Sequence, residues 1–444
     1  MKSILEGITV LEFAEYIAGP YCGFLLSDLG ARVIKVEPPD GAEERRLGNR
    51  ERYRGNTRPS LAFNRGKESL AVDLRRPEGR ELIYRLIPGV DVVIQNFVPG
   101  VATKLGIDYA SLSAKNPRLV FLSSTAFGEV GPLQKRKGFD IIAHAAAGIM
   151  ANYADELGAP RGPGALNYVD ISTAVFNALG IVSALYHRLQ TGEGQKLETS
   201  LFGTGLALQQ QLLVNIARLD GARQERELEL LRTARHDDKT HTQVIDEIME
   251  ARLREDMPTT TRPVEVPDCL HRPTDRQVYP YYRVYPTADG YLCVAALNRS
   301  LREKLCHVLG VTDPHVDIDL GNASDEAYFA QKAMMKTIEE RLSQHSNDHW
   351  MERLEAAGVP CGPVSYGANL YEDPQVKALD MMWRLENQEL GAYDTVGHPI
   401  RFSKTRVTPG KGAPTLGQDT DALLAEAGLG KDEIRRYREA GVVK

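Results

Sequence analysis

The 444-residue sequence lacks the short motifs that mark most nucleotide-dependent and hydrolytic enzymes. It has no G-x-G-x-x-G fingerprint after a strand and no Walker A loop, which argues against dinucleotide-linked dehydrogenases and P-loop enzymes. It also has no H-E-x-x-H, G-x-S-x-G or C-x-x-C pattern, which argues against zincins, serine hydrolases and dithiol oxidoreductases. The short motifs therefore leave the chemistry open.

Cysteines are few, and long apolar runs are missing. The five cysteines show no zinc-ligand spacing, so we expect small buried thiols in a reducing compartment and no metal site. No run of 18 apolar residues occurs, and the first ten residues contain no apolar h-region or cleavage site. We therefore expect a cytoplasmic protein without a membrane span.

An excess of positive charge is also missing, because the net charge is −6 and the pI is about 6.0. A general nucleic-acid binder usually carries a basic face, so we expect no nucleic-acid partner. Local basic clusters nevertheless follow predicted strands: Arg75 and Arg76 after one strand, Lys104 past another, and residues 135–137 in a loop. Because open α/β sheets bind ligands at the carboxyl ends of their strands, these clusters favour a polyanionic ligand.

The first half of the chain alternates between strand-like and helix-like segments. Apolar strands are predicted at 8–13, 32–37, 69–74, 90–97 and 119–124, and helices at 20–29 and 78–86 and from Asp170 to a stop at Gly192. Strands joined by helical crossovers indicate an α/β protein with a parallel, doubly wound sheet. By position, Asp170 is predicted to cap the helix that follows it.

The composition changes after residue 218. Residues 219–262 are crowded with charged helix formers, which predicts solvated helices in a linker or insertion. From residue 279 two strands surround an Asp-Gly turn, and helical segments follow. This mixed pattern differs from the strand–helix alternation of the first half.

A series of ordered motifs carries a family resemblance over nearly the whole chain, apart from about 219–275. Residues 7–41 read GITVLEFAEYIAGPYCGFLLSDLGARVIKVEPPDG, followed by NRGKESLAVD at 64–73, NFVPG at 96–100, TGEGQ at 191–195 and VPCGPV at 359–364. In these motifs the sequence resembles the class III CoA-transferases. That family includes formyl-CoA transferase, carnitine CoA-transferase and the α-methylacyl-CoA racemases.

The resemblance implies a fold and an assembly. The fold is a Rossmann-like large domain plus a smaller α+β domain, and two subunits interlock as a homodimer. In this chain the large CoA-binding domain would be 1–205, completed by 380–444. A linker with a charged helical insertion would follow at 206–275, the small domain at 276–345, and a return linker at 346–379.

The resemblance also implies site residues. Asp170 is the implied nucleophile. Nine CoA contacts are implied: Val72, Leu74 and Arg75 beside the adenine and 3′-phosphate, Asn96 and Phe97 beside the pantetheine arm, Lys104 and Lys137 on the phosphates, and Ile17 and Ala18 facing the thioester. The substrates would be an acyl-CoA donor and a carboxylic acid acceptor, with no metal or redox cofactor.

The implied chemistry is covalent. The Asp170 carboxylate attacks the acyl-CoA to give a mixed anhydride, and CoA thiolate then converts the aspartyl group to a thioester. The positive end of the following helix is expected to keep the carboxylate ionised. Some relatives carry Arg at the position of Pro38, so the resemblance implies one ligand contact fewer here. Some carry Gln at the position of Ile17, and if that amide helps to hold the oxyanion, backbone amides must hold it alone in this chain. No glycine-rich loop occurs at 255–280 to shield the intermediate.

Two other functions stay open at this point. Racemases of this family place a histidine at the position of Phe139, and phenylalanine cannot move a proton, so racemization ranks below transfer. His144 lies close by in sequence but is predicted to be a packing residue. A CoA-binding protein without catalysis is the third alternative, and the retained Asp170 argues against it.

Overall fold

The computed structural model of the protein describes residues 3–46, 56–152, 166–210, 213, 217–234, 243–244, 280–316, 325–405, 407 and 410–444. The chain forms two compact units. The larger unit combines 1–149 and 162–213 with the C-terminal segment 373–444, and the smaller unit contains 150–161 and 214–372.

Six parallel strands form the sheet of the larger unit: β1 (Thr9–Glu12), β2 (Arg32–Glu37), β3 (Glu68–Ala71), β4 (Val92–Gln95), β5 (Val120–Thr125) and β6 (Lys196–Ser200). Their order is β3-β2-β1-β4-β5-β6. The predicted α/β class with a parallel sheet is thereby confirmed. Because the strand order reverses between β1 and β4, a crevice opens at the carboxyl ends of these two strands.

In the described residues before 210, eight helices accompany this sheet: α1 (Ala18–Asp28), α2 (Arg58–Phe63), α3 (Pro77–Leu86), α4 (Val101–Lys104), α5 (Tyr109–Ser113), α6 (Asp140–Ala146), α7 (Tyr168–Thr191) and α8 (Leu201–Ala207). Short 3-10 turns lie at Glu43–Arg46, Ile87–Gly89 and Ile149–Asn152. Alternate strand residues point to opposite faces, so the sheet has an apolar core on each side. Val93 and Phe121 belong to one core, and Val92 and Ile94 to the other.

The C-terminal segment completes the first of these cores. It contains α13 (Pro374–Ala378), the antiparallel hairpin β10 (Met382–Asn387) and β11 (Gly391–Val396), α14 (Thr420–Glu426) and α15 (Lys431–Glu439). Leu423, Leu424 and Ile434 are buried in the core that also holds Ile83. Both ends of the chain are therefore needed to bury one side of the sheet.

The smaller unit is an α+β structure with an antiparallel sheet. Its elements are α9 (Ala217–Ala234), β7 (Tyr282–Pro286), β8 (Tyr291–Ala295), α10 (Arg299–Leu309), α11 (Asp325–Leu342), α12 (Asn347–Ala356) and β9 (Cys361–Pro363), with a 3-10 turn at Asn369–Tyr371. Tyr285, Leu292, Ile338, Trp350 and Leu354 share its core. The predicted return linker at 346–379 thus includes α12 and β9, which belong to this unit.

The other domain boundaries stay predictions. Of the predicted charged insertion at 206–275, residues 211–212, 214–216, 235–242 and 245–275 lie outside the described residues. The same holds for 276–279 and 317–324 of the predicted small domain.

Helix α7 is long and apolar enough, by length and composition, to cross a membrane. One of its faces is nevertheless part of the larger unit. Ile181 and Leu185 are buried against α1 and the sheet. On the same face, Arg188 bonds Asp91 at 2.8 Å. We therefore interpret α7 as a core helix.

A buried cluster of charges lies where β1, β2 and the segment before β3 meet. Lys35 Nζ is 2.8 Å from Glu44 Oε1 and 3.4 Å from Glu12 Oε1. Lys67 Nζ is 2.8 Å from Glu12 and also donates to the Asn64 side chain. All five side chains are buried, so each charge depends on its partners.

Replacing Lys35 by Met should destabilise the protein by about 3 to 5 kcal/mol, because Glu44 would keep a buried charge without its cation. Urea unfolding measures the change. The matched control is Arg435→Met, whose pair with Asp432 is exposed and should cost less than about 1 kcal/mol. Equal losses in the two variants would contradict this account of the cluster.

Candidate active site

A cleft of about 800 Å³ opens at the carboxyl ends of β1, β4 and β5. Its walls come from the β1–α1 loop, the β4–α4 loop, the segment between β5 and α6, and the first turn of α7. Seven of the ten predicted site residues line it: Ile17, Ala18, Asn96, Phe97, Lys104, Lys137 and Asp170. The strand-order reversal and the sequence-derived residues therefore coincide in one place.

Three predicted residues do not line this cleft. Val72 is buried and forms an antiparallel bridge with Val443. Leu74 packs against the core that contains α3. Arg75 is exposed and pairs with Asp73 at 2.8 Å, and this hydrogen bond lowers the pKa of Asp73. The predicted contacts of these residues with adenine and the 3′-phosphate stay predictions.

The β1–α1 loop is held from below by the buried charge cluster. Lys35 Nζ donates to the carbonyl of Ala14 at 2.8 Å, and the Tyr16 amide donates to Glu44 Oε2 at 3.3 Å. Tyr16 has a φ of 67°, a left-handed conformation that a non-glycine residue adopts only under constraint. The loop is thus fixed in a strained shape that delivers Ile17 and Ala18 to the cleft.

Asn96 holds the same loop from the side. Its amide nitrogen donates to the Glu15 carbonyl at 2.7 Å, and its oxygen accepts from the Glu15 amide at 3.0 Å. Both ends of the side chain are therefore bound to backbone. Asn96 lines the cleft as predicted, but its amide groups position the loop.

Helix α1 begins at the cleft. Ile17 is its N-cap residue, and no side chain caps the first turn. The first-turn amides of a helix have no intrahelical acceptor, and the helix dipole places partial positive charge there. This end of α1 is therefore suited to bind an anionic oxygen through backbone amides. Such binding would not need the glutamine side chain that some relatives carry at the position of Ile17.

One wall of the cleft is cationic. Lys104 ends α4, and Lys135, Arg136 and Lys137 come from the segment after β5. No carboxylate lies within ion-pair distance of Lys104, Lys135 or Lys137 in the part of the chain that the structure describes. The predicted loop cluster and the predicted lysine past β4 thus face one cavity. Such a wall fits the phosphate groups of a large anionic ligand.

Asp170 lies inside helix α7 and not at its N-cap position. Helix α7 begins at Tyr168 with Asn167 as N-cap residue, so Asp170 is the third helical residue and the N-cap prediction is wrong. The N-cap position therefore lies three residues earlier in the chain than predicted. The backbone amide of Asp170 donates to Asp140 Oδ1 at 2.9 Å.

The ionisation of Asp170 also differs from expectation. Burial, followed by the negative charge of Asp140, raises the pKa of Asp170 from 3.8 to about 7. The helix end was expected to favour the carboxylate, but desolvation outweighs it. Asp170 is consequently a basic carboxylate, about half ionised at neutral pH.

Sequence reasoning missed the role of Asp140. Its Oδ2 lies 2.9 Å from His144 Nδ1, so one carboxylate bonds both this ring and the Asp170 amide. His144 is buried, as a packing residue would be, but it is also hydrogen-bonded. The i, i+4 spacing of Asp140 and His144 was a signal that could have found the pair.

Phe139 lies at the cleft wall in contact with Tyr16, with ring centroids 5.3 Å apart in an edge-to-face arrangement. Residues 255–279, in which no glycine-rich loop was found, lie outside the described residues. Phe139 and Tyr16 both line the cleft, as does Phe97.

Asp170→Asn should stabilise the protein more at pH 8 than at pH 5. The folded-state pKa of Asp170 is raised above the unfolded value, so the stability contributed by its proton is complete near pH 4 and is lost as pH rises to about 7. Asparagine avoids this loss, which between pH 5 and 7 amounts to at most about 3 kcal/mol. Urea unfolding at the two pH values measures it, and an equal effect at both would contradict the raised pKa.

Comparisons with known proteins match one family over nearly the whole chain. The family model for CoA-transferase family III matches residues 5–238 and 240–420. A succinate–glutarate CoA-transferase of Agrobacterium fabrum is 31% identical over 96% of each chain, and a succinyl-CoA:mesaconate CoA-transferase of Haloarcula hispanica is 30% identical over 96% of this chain and 97% of its own. The crystal structure of a CAIB/BAIF family protein from Brucella suis matches with a TM-score of 0.70 and 30% identity, over 96% of this chain and all of that one.

These matches extend over both units and confirm the resemblance that the motifs indicated. A family model that matches nearly the whole chain, with relatives at this identity, shows the family and its enzymatic nature. The chain therefore belongs to CoA-transferase family III and is an enzyme that uses acyl-CoA and carboxylate substrates.

Proposed function

We propose that the enzyme transfers CoA between carboxylates through covalent intermediates on Asp170. The observation that carries this proposal is a carboxylate of raised pKa in the wall of a cleft that also contains four cationic side chains and a helix N-terminus. A basic carboxylate is a better nucleophile than an ordinary one. The cations suit the phosphates of CoA, and the start of α1 suits the oxyanion.

The first half-reaction releases the donor acid. An Asp170 oxygen attacks the thioester carbonyl, the carbon–sulfur bond breaks, and CoA leaves as thiolate from a mixed anhydride. The thiolate then attacks Cγ of Asp170, the bond from Cγ to the bridging oxygen breaks, and the donor carboxylate leaves with the electron pair. The enzyme now carries an aspartyl-CoA thioester.

The second half-reaction reverses the order with a new acid. The acceptor carboxylate attacks Cγ of the aspartyl thioester and expels CoA thiolate, which gives a second mixed anhydride. The thiolate attacks the acceptor's carbonyl carbon, and Asp170 leaves as a carboxylate. Acyl-CoA product forms and the enzyme is regenerated, so the cycle needs no metal or redox cofactor.

These reaction steps suggest a role for each residue that lines the cleft. Lys104, Lys135 and Lys137 would hold the phosphates, and Phe97 would border the pantetheine arm. Ile17 and Ala18 would face the thioester carbonyl, with the first-turn amides of α1 as oxyanion donors. Val72, Leu74 and Arg75 are proposed adenine contacts on the resemblance alone.

Short dicarboxylic acids are the proposed substrate class. The two relatives are named for succinate, glutarate and mesaconate, which are all dicarboxylates. A dicarboxylyl-CoA keeps one free carboxylate beyond the thioester, and a cationic wall would also attract that charge. We further propose that the enzyme acts in the cytoplasm.

Phe139 supports transfer over racemization. A racemase needs two proton carriers on opposite faces of the substrate carbon. Phe139 carries no titratable group, and the Nδ1 of the buried His144 is already bonded to Asp140. Neither Phe139 nor His144 would therefore serve Asp170 as the second proton carrier of a two-base mechanism.

Asp170→Asn should abolish transfer, because an amide neither attacks a thioester nor forms the anhydride. Wild-type enzyme mixed with succinyl-CoA and glutarate should yield glutaryl-CoA by mass spectrometry, and the intact protein should gain the mass of CoA less water. The variant should show neither signal yet still bind CoA by calorimetry. The exposed Asp432→Asn serves as control, and a CoA adduct on Asp170→Asn would overturn the assignment.

The exposed face of α7 supports the proposed homodimer. The apolar stripe that the sequence shows along this helix is solvent-exposed in the single chain, whereas Thr173, Asn177 and Ile181 lie on the buried face. The exposed stripe consists of Val175, Leu179, Val182, Tyr186 and Leu189, the last 81% exposed. An exposed apolar stripe that runs along several turns of a helix is typical of an interaction surface. The family resemblance implies that a second copy of the chain covers it.

The protein should sediment as a dimer at nanomolar concentration, because an interlocked pair cannot separate without unfolding. Introducing a charge by Leu179→Asp should reduce the dimer fraction or the yield of folded protein, since it would bury an unpaired carboxylate. Val130→Asp, at an exposed apolar residue away from α7, should leave the dimer intact. A monomer of the wild type at this concentration would exclude interlocking.

A further inference from the structure

The Asp140–His144 pair is the buried titratable group that the proposed mechanism does not use. Both residues belong to α6, and both are buried. Asp140 Oδ1 accepts the backbone amide of Asp170, and its Oδ2 lies 2.9 Å from His144 Nδ1. Each carboxylate oxygen of Asp140 thus has a hydrogen-bond partner, and the partner of Oδ1 is the backbone amide of the proposed nucleophile.

We infer that Asp140 and His144 are positioning residues that fix a negative charge beside Asp170 and so make its carboxylate the reactive base of the cleft. This inference rests on the proposed role of Asp170 as nucleophile. Asp140 acts through the charge it holds at the first turn of α7. His144 acts one step further away, by holding the carboxylate of Asp140 in place.

The hydrogen-bond geometry assigns the role of His144. Its Nδ1 lies 3.0 Å from the Asp140 carbonyl and 2.9 Å from the Asp140 carboxylate, and both are acceptors. A protonated Nδ1 therefore satisfies both oxygens, whereas an unprotonated Nδ1 would face two acceptors without a hydrogen. With this proton in place the Asp140 side chain cannot rotate away from Asp170 without losing two hydrogen bonds.

The surrounding charges leave Asp140 as the neighbour that acts on Asp170. Helix α6 packs against α7 and α8, and the sequence of α8 contains no titratable side chain. The first turn of α7 adds Tyr168, and the loops of the cleft bring Glu15, Tyr16, Lys104 and the cations at 135–137. Of these groups, Asp140 is the one whose charge raises the pKa of Asp170, in addition to burial.

Asp140→Asn keeps an oxygen acceptor for the Asp170 amide but removes the charge. The acidic limb of the kcat/KM–pH profile, which should lie near pH 7 in the wild type, should then move down by roughly one pH unit. His144→Gln keeps a donor of similar reach and should preserve the wild-type profile. His144→Leu removes the donor and should shift the limb as Asp140→Asn does, with a loss of about tenfold in kcat.

A titration of the protein itself separates this inference from the proposed function. Aspartate labelled with carbon-13 at the side-chain carboxyl reports the midpoint of Asp170 by NMR, with Asp170→Asn to assign the signal. The midpoint should fall in Asp140→Asn and His144→Leu but not in His144→Gln. His398→Gln, a change at another buried histidine whose partner is Ile400, should also leave it unchanged.

The outcomes are distinguishable. Unchanged midpoints and pH profiles in both Asp140→Asn and His144→Leu would overturn the positioning role while the transfer activity stands. A wild type that transfers no CoA would overturn the proposed function, and the NMR titration would still decide whether Asp140 and His144 act on Asp170. A shift in His144→Gln equal to that in His144→Leu would show that the donor is not what matters.

Discussion

The cleft depends on a buried charge cluster whose residues are not part of its lining. Lys35 and Lys67, with Glu12 and Glu44, are buried beneath the β1–α1 loop. Buried ions of this kind contribute little net stability, because desolvation offsets their attraction. Their contribution is specificity of shape: Lys35 and Glu44 bind the backbone of the loop and hold Tyr16 at a positive φ. An apolar replacement could fill the same volume but could not bind those backbone groups.

Different features of the fold have opposite effects on the ionisation of Asp170. The helix dipole of α7 and the cationic wall favour its ionised form, whereas burial and Asp140 favour the protonated form. Burial and Asp140 prevail in the free protein. A bound acyl-CoA would add its own phosphates to the cationic wall and cover the cleft further. The proposed nucleophile is therefore basic before any substrate binds.

The sequence predicted the fold class and most of the cleft for identifiable reasons. Apolar runs such as 32–37 and 119–124 are typical of strands buried on both faces, so the parallel sheet followed from periodicity alone. The position of Asp170 came from motif order, which fixes a residue in the chain but not its surroundings. The contact of Asp140 with the Asp170 amide, the doubly bonded amide of Asn96 and the exposure of the apolar stripe on α7 could not be predicted, because each depends on which elements meet in three dimensions. Val72 illustrates the limit, since its bridge to Val443 joins residues from opposite ends of the chain.

The raised pKa of Asp170 has a consequence for how the proposed anhydride divides. Thiolate can attack either carbonyl of that anhydride, and the better leaving group is the carboxylate of the stronger acid. Burial raises the pKa of any carboxylate released in the cleft, whereas the negative charge of Asp140 acts on Asp170 and makes its carboxylate the poorer leaving group. Attack at the aspartyl carbon, which expels the substrate carboxylate, is therefore electronically favoured over the return to starting acyl-CoA. The charge of Asp140 beside Asp170 thus gives the proposed first half-reaction a direction, and the same preference makes release of the final product the slower exit from the second anhydride.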